Sequence, residues 1–338
     1  MSIGSRIKQA RKGANLSLRE LAADVGVSAM MISKYENDLS TPGSRVLINL
    51  SQKLNVKVDY FFRPEFLKLD LQAFRKHASL RKRDEQVIQM RIQDWLERFS
   101  EIESFFPQEQ KAMVLAHYPV SSLDDVEKAA RSLREAWHLG LDPIENMVQL
   151  LEDKGIKVGL VSGMDDFDAC TFQVDNRLVI VSKEELSGDR LRFNLGHELG
   201  HLVLNCKGEL NVEKAANRFA GAFLVPSEKA IYELGFIRSD LNITELHILK
   251  HKYGISMQAW IYRAKDLGII SQDTFSGLFR QFKSNNWHIT EPGEKYPQEK
   301  PARMEQLVYR ALAEDLLSRS KAQEILAAPI KQWVYLEM

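Results

Sequence analysis

Apolar residues recur at helical spacing through residues 3–62. Ile7, Leu21, Ala22, Val25, Val27, Ile32, Val46, Leu50 and Leu54 mark the inner side of several short helices, broken at Gly13, Gly26, Pro42 and Gly43. Ser17 and Ser28 stand where N-caps belong, so a helix over 17–25, a tight turn at Gly26 and a helix over 28–36 are expected. A linker and then a long helix fill 66–106. Its Ile88, Ile92, Trp95, Phe99, Ile102 and Phe106 follow in steps of four and three, a heptad-like apolar seam that serves either packing within the chain or pairing in a homodimer.

From about residue 123 the pattern mixes two periods. Helices over 126–139 and 143–154 precede short strands at 156–161, 170–174 and 178–181, the last two joined by a turn at Asp175 and Asn176. Helices over 189–206 and 212–224 follow, the second ended by Pro226. Residues 249–271 read as helix, tight turn at Gly254, and helix, with a structural role. A loop occupies 291–301, and the tail from 303 onward is helical with a break at 318–320. The fold class is α+β but mostly helical. An all-α domain spans 1–65, a helical linker with the candidate dimerisation helix 66–122, an α+β domain with a small sheet 123–236, and a helical region 237–338.

A hydrophobic fraction of 44% and a charged fraction of 27% in 338 residues describe folded domains. Forty-six basic residues balance forty-six acidic ones, so a nucleic-acid contact must come from a local patch. Residues 1–60 supply one, with nine Lys or Arg against five Asp or Glu. Two cysteines, Cys170 and Cys206, make no disulfide framework. The opening MSIGSRIKQARKG lacks the apolar core of a secretory signal, and no apolar run approaches membrane-spanning length. The expected compartment is the cytoplasm, with no membrane partner.

The densest chemistry is HELGH at 197–201. Histidines at i and i+4 share one helix face, so His197 and His201 can reach a single ion, and zinc suits imidazole nitrogen. Glu198 lies about 100° around the helix, placed to act as a base without being a ligand. Gly196 and Gly200 would each cost an ordinary helix about 1 kcal/mol, which makes sense where something approaches the backbone closely. A catalytic site needs a third ligand, and Glu209, Glu213, Glu228, Glu233 and His247 are the candidates downstream. Glu213 is favoured by its place near the start of the next helix, with Asn217 at i+4 to support a ligand.

The stretch RFNLGHELGHLVLN…EKAANRFAGAFLVP (192–226) resembles the ImmA/IrrE family of zinc metallopeptidases, whose pattern falls here on Glu213, Ala216, Asn217, Phe219, Ala220 and Pro226. The resemblance implies a zincin-like α+β metallopeptidase domain with His197, His201 and Glu213 as ligands to Zn2+ and Glu198 as general base. Asn194 with Leu195 and Gly196 before the first histidine is a departure from the family, where small residues or threonine are more usual. Likewise LSLRELAADVGVSAMMISKYENDLSTPGSRVLINLSQKLNV (16–56) resembles the Xre/lambda-repressor type of helix-turn-helix. Its second helix would enter a major groove with Ser28, Ala29, Met30, Ser33 and Lys34 at base edges, and Arg6, Arg11, Lys12 and Arg19 would meet phosphates. Leu18, Ala29 and Met30 replace the glutamines often found there. Together the two resemblances imply a regulator that binds operator DNA, its own promoter included, and whose endopeptidase cleaves a repressor-like or toxin–antitoxin partner, or itself. The alternative is a DNA-binding antitoxin or autorepressor that neutralises a toxin by binding, with a non-catalytic zinc site.

Overall fold

The computed structural model describes residues 2–63, 82–107, 115–162, 167–174 and 177–330. The turn expected at Asp175 and Asn176, the first part of the 66–122 linker and the last part of the helical tail lie outside the described residues. The chain is mostly helical with two small sheets.

The N-terminal unit holds α1 (Ile3–Gly13), α2 (Leu18–Val25), α3 (Ala29–Glu36) and α4 (Ser44–Lys53), closed by a 3-10 turn at Val58–Phe62. Its caps are those the sequence signals. Ser17 forms a capping box with Glu20, Gly26 ends α2 in the left-handed region at φ 77°, and Ser28 caps α3. Ile7, Leu21, Val25, Ile32, Leu50 and Phe61 meet in a core of their own. Each such side chain contributes about 1.5–3 kcal/mol on burial.

The long helix α5 (Lys82–Ser104) spends its apolar seam inside the chain. Ile88, Ile92 and Leu96 pack on a three-stranded sheet, and Ile102 and Phe106 pack on the C-terminal helices. Of the two uses expected for this seam, packing within the chain accounts for Ile88, Ile92, Phe99, Ile102 and Phe106, which are buried, while Trp95 is half-buried.

Strand β1 (Tyr118–Val120) leads into α6 (Leu123–Ala136) and α7 (Met147–Asp153). The sheet follows, as β2 (Lys157–Val161), β3 (Ala169–Val174) and β4 (Arg177–Lys183), in the order β2-β4-β3. β2 runs parallel to β4, and β3 antiparallel to it, so β3 is an edge. Alternation gives the sheet two apolar faces. Cys170, Phe172, Val174, Val179 and Val181 turn to α5, while Val158 and Ile180 turn to the other side. Trp95 of α5 lies over Gly159, where a Cβ would meet its ring at 3.1 Å.

On that other side lies α8 (Gly188–Val203), then β5 (Leu204–Cys206), α9 (Val212–Leu224) and α10 (Ser227–Leu234). The helix expected to reach residue 206 stops at Val203, because the next three residues pair in parallel with β1. The core under α8 does not end at 236. It continues through α11 (Ile243–Tyr253), α12 (Met257–Asp266) and α13 (Gln272–Ser284), with Leu246, Leu249, Trp260, Ile261 and Phe282 buried in it. Gly254 between α11 and α12 adopts φ 67°, the left-handed turn foreseen there.

The polar 291–301 segment ties this core together. Glu291 accepts the N–H groups of Met257 and Gln258 at the start of α12, and Glu299 accepts those of Met147 and Val148 at the start of α7. Helix N-termini favour such carboxylates. Glu299 also pairs with the buried Arg192 of α8. The last helices, α14 (Arg303–Ala313) and α15 (Arg319–Leu326), close on the second half of α5.

Candidate metal centre

Helix α8 carries His197 and His201 one turn apart, with ring centroids 4.7 Å from each other and edge to face. Their Nε2 atoms converge to 3.0 Å. Glu213 stands in the first turn of α9, which Asn211 caps through the N–H of Lys214. Its two oxygens lie 3.3 Å from His197 Nε2 and 3.5 Å from His201 Nε2. Donors around a tetrahedral zinc at about 2.0–2.1 Å stand about 3.3 Å apart, so the three side chains form a cradle of that size. All three donor atoms fall within 4.8 Å of one another. Two imidazole nitrogens and a carboxylate are a donor set that zinc accepts.

The cradle depends on how closely two helices approach. A Cβ on Gly200 would meet Ala216 Cα at 3.2 Å, and one on Gly196 would meet Ala220 Cα at 3.3 Å. Glycine on α8 and alanine on α9 thus bring Glu213 within reach. Asn217, one turn along α9, accepts a hydrogen bond from His197 Nδ1 at 2.9 Å. That leaves the Nε2 lone pair pointing into the cradle, the arrangement that orients a metal-binding imidazole.

Glu198 sits beside the cradle and is 4% exposed. Burial pushes its carboxyl up to about 7, the Thr171 hydroxyl facing it draws it back down, and the Glu213 charge adds to the rise. A carboxylate near neutrality is suited to taking a proton and giving it back. Thr171 comes from β3, far from the motif in sequence, and no local pattern marked it.

The other downstream candidates are engaged elsewhere. Glu228 pairs with Arg131, Glu233 pairs with Lys252 and accepts from Tyr253, and the ring of His247 lies against Gly293. Glu209 is exposed in the loop before α9.

At the other end of the chain, Ser28 caps α3, Met30 is 70% exposed and Lys34 is exposed. Ala29 and Ser33 are half-buried on the same helix. Arg19 is exposed at the start of α2. Arg6 and Arg11 differ from the phosphate-contact expectation. Arg6 is fully buried and binds both oxygens of Glu97 on α5, at 2.8 and 3.0 Å. Arg11 forks onto Glu36 at 2.5 and 2.9 Å and donates to the Leu16 carbonyl. Both are structural, because each finds a carboxylate that sequence proximity does not reveal.

Two family models match the chain, one described as helix-turn-helix over residues 7–61, the other as IrrE N-terminal-like domain over residues 152–265. The chain joins a helix-turn-helix domain to an ImmA/IrrE-like domain. The second match contains His197, Glu198, His201, Glu213 and Asn217, and it reaches beyond α9 into α12. Curated relatives match the first domain. The HTH-type transcriptional regulator ImmR of Bacillus subtilis is 37% identical over 60 residues, 18% of this chain and 47% of that protein. An uncharacterized HTH-type transcriptional regulator of Sinorhizobium medicae is 38% identical over 60 residues, 18% of this chain and 43% of that one. These matches span about half the length of the relatives. Among solved structures, the P22 c2 repressor protein in complex with a synthetic operator is 33% identical, covering 18% of this chain and 92% of that one at a TM-score of 0.18. Among the described residues, no helix is long and apolar enough to cross a membrane.

Proposed function

We propose that this protein is a cytoplasmic transcription regulator with a zinc-dependent endopeptidase in the same chain, acting on a repressor-like or toxin–antitoxin partner or on itself. The observation that carries the reading is the convergence of His197, His201 and Glu213, braced by Asn217 and flanked by the buried Glu198, behind a helix-turn-helix domain. A purely structural metal site needs ligands alone. A buried carboxylate held near neutrality beside an exposed-sided cradle is what hydrolysis needs.

His197, His201 and Glu213 would hold the ion. Bound there, zinc would supply the acidification of a water to near pH 7 and the polarisation of a carbonyl. Glu198 takes the water proton and returns it to the leaving amine, so the peptide bond is split with proton balance kept at one carboxylate. Asn217 keeps His197 in the tautomer that presents Nε2. Glu213, whose side chain is 57% exposed, leaves that flank open to a polypeptide. Operator DNA, the protein's own promoter among the sites, meets α3 through Ser28, Ala29, Met30, Ser33 and Lys34, with Arg19 on a phosphate.

The test is metal analysis of the purified protein beside Glu198→Gln. Both should hold zinc, and only the wild type should deplete a co-expressed partner protein. A variant that matches wild type against every partner encoded by neighbouring genes would leave the antitoxin reading, with a non-catalytic site. Gel shifts on the protein's own promoter test the DNA half.

A further inference from the structure

Helix α3 buries Ile32, Tyr35 and Glu36 and exposes Met30, Lys34 and Asn37. Steps of four and three place these last three on one stripe, with Met30 at its N-terminal end and Asn37 just past the last turn. Met30 is 70% exposed, a large apolar side chain that the core of its domain does not use. The polar groups beside it turn back to the helix. Ser28 Oγ accepts the N–H of Met31 at 3.2 Å, and Asn37 Nδ2 donates to the Ser33 carbonyl at 2.8 Å. Lys34 remains, as a compact point charge.

The charges of the same domain favour a polyanion. Of the five acids in residues 1–60, Glu20 closes the capping box with Ser17, Asp24 pairs with Lys53, and Glu36 holds Arg11. Asp38 accepts from the Ser2 hydroxyl and the Gly4 N–H, and Asp59 lies in the first turn of the 3-10 helix. Lys8, Lys12, Arg19, Lys34 and Arg45, by contrast, pair with no carboxylate among the described residues. Engaged acids and unengaged cations complement a duplex, which carries one phosphate charge about every 1.7 Å.

We propose that Met30 reads thymine, through the 5-methyl group that this base presents in the major groove. The inference rests on the reading above in which α3 meets operator DNA. The N-terminal residues of a recognition helix are those that reach base edges, and Met30 follows Ala29, the first residue of α3. A thioether donates no hydrogen bond and accepts one only weakly, so the donor and acceptor code of the groove is closed to Met30. The thymine methyl is the one apolar group that the base edges offer there. Contact removes both apolar surfaces from water, and an unbranched side chain with three rotatable bonds adapts to where the methyl stands. Cytosine, which lacks the methyl, gives Met30 nothing to pack on.

Uracil is the probe, because it differs from thymine by the methyl alone. The full-length protein would select its preferred site from a pool of random-sequence duplexes, and each thymine of that site would then be replaced singly by uracil. Expected is at least one thymine whose replacement weakens binding about fourfold in a gel shift at fixed salt, the size that about 0.8 kcal/mol for one buried methyl gives. Met30→Gln, similar in length but polar at its end, should lose that sensitivity, and Met30→Leu should keep it. Ile48→Gln, which alters an exposed apolar residue of α4, should keep it too. Uracil tolerated at every position by the wild type, or a pool in which no sequence is enriched, would overturn the proposal and leave DNA binding standing. The same uracil cost in Met30→Gln as in the wild type would also overturn it, and would turn Met30 over to a protein contact. Full-length protein that shifts no duplex at low salt would overturn both the proposal and the DNA reading.

Discussion

Replacing Gly200 by alanine separates two opposing effects and tests how the centre is built. The first effect is intrinsic: alanine in a helix interior is favoured over glycine by about 1 kcal/mol. The second is steric. The new Cβ would stand 3.2 Å from Ala216 Cα and 3.2 Å from Phe219 Cδ1, where carbon atoms prefer about 3.5–4.0 Å. Neither neighbour is a free side-chain end. Ala216 Cα is backbone, and the Phe219 ring is fully buried and stacked on Phe223 at 5.5 Å. Overpacking of this kind costs about 1–3 kcal/mol, so the metal-free protein should lose about 1 kcal/mol net. The larger consequence is local. Glu213 rides on the same turn as Ala216, and moving α9 outward by a few tenths of an ångström exceeds the tolerance of about 0.2 Å that metal–ligand distances allow. Zinc affinity should fall about tenfold or more, a size typical of disturbed ligand orientation. Urea denaturation in chelator gives the first quantity, and competition against a chelating dye gives the second. A Gly200→Ala protein that is more stable than wild type and binds zinc equally well would refute the close-approach argument. Gly196→Ala, whose contact is one turn farther from Glu213, should cost similar stability and less affinity.

Asn217→Ala should lower zinc affinity about 10- to 100-fold with little loss of fold, read by the same dye competition. Glu97→Gln leaves the buried Arg6 charge without its partner and should cost about 3–5 kcal/mol in a denaturant titration, while Arg6→Met with Glu97→Met together should cost much less. In metal-free protein the Glu198 carboxyl is raised from 4.5 to about 7. A carboxyl raised on folding binds its proton more tightly in the folded state. Its contribution is thus fully present below its ordinary pKa and is lost as pH rises through about 7. Stability relative to Glu198→Gln should therefore decline by about 3 kcal/mol across that window, and a flat difference would contradict the burial argument. Arg19→Ala should weaken DNA binding and reduce its salt slope by about one, whereas Arg11→Ala should destabilise the N-terminal domain, which thermal unfolding of the full chain would show.

Much of this was legible because the decisive signals are local. HELGH places two imidazoles on one face by helix geometry alone, and the caps at Ser17, Ser28 and Gly26 announce the short helices of the N-terminal domain. Glu213 emerged from a helix start at a suitable distance, strengthened by resemblance. What stayed hidden depends on partners distant in the chain. Arg6 and Arg11 look like surface cations in a basic segment, yet Glu97 and Glu36 draw them inward. Thr171 is an ordinary strand residue until the sheet is laid against α8. Residues 204–206 follow the helix with no glycine or proline to end it, so only pairing with β1 makes them a strand. The core likewise runs past 236, because α11 to α13 supply Trp260 and Phe282 to it.

The helix α5 shows why a periodic pattern names a surface but not its occupant. Its steps of four and three mark one continuous apolar seam, and such a seam suits a coiled-coil partner as well as a fold of its own chain. The structure divides it. Ile88, Ile92 and Leu96 back the sheet that carries Thr171, and Ile102 and Phe106 take α14 and α15. The polar flank is occupied too. Glu97 holds Arg6, Gln93 meets Gln9 at 2.7 Å, and Asp94 meets Arg63 at 3.1 Å. Arg63 also reaches Glu324 of α15, so the DNA-binding domain, the sheet and the C-terminal helices all bear on one helix. A second copy would have to displace these contacts to pair through the seam, at the cost of a buried ion pair and two apolar clusters. Helix α3, proposed above to meet operator DNA, packs on α1 and α2 and keeps Met30 and Lys34 outward. The face of the N-terminal domain that docks on α5 is therefore a different face from the one that carries Met30 and Lys34, so the proposed DNA contact and the docking on α5 are compatible.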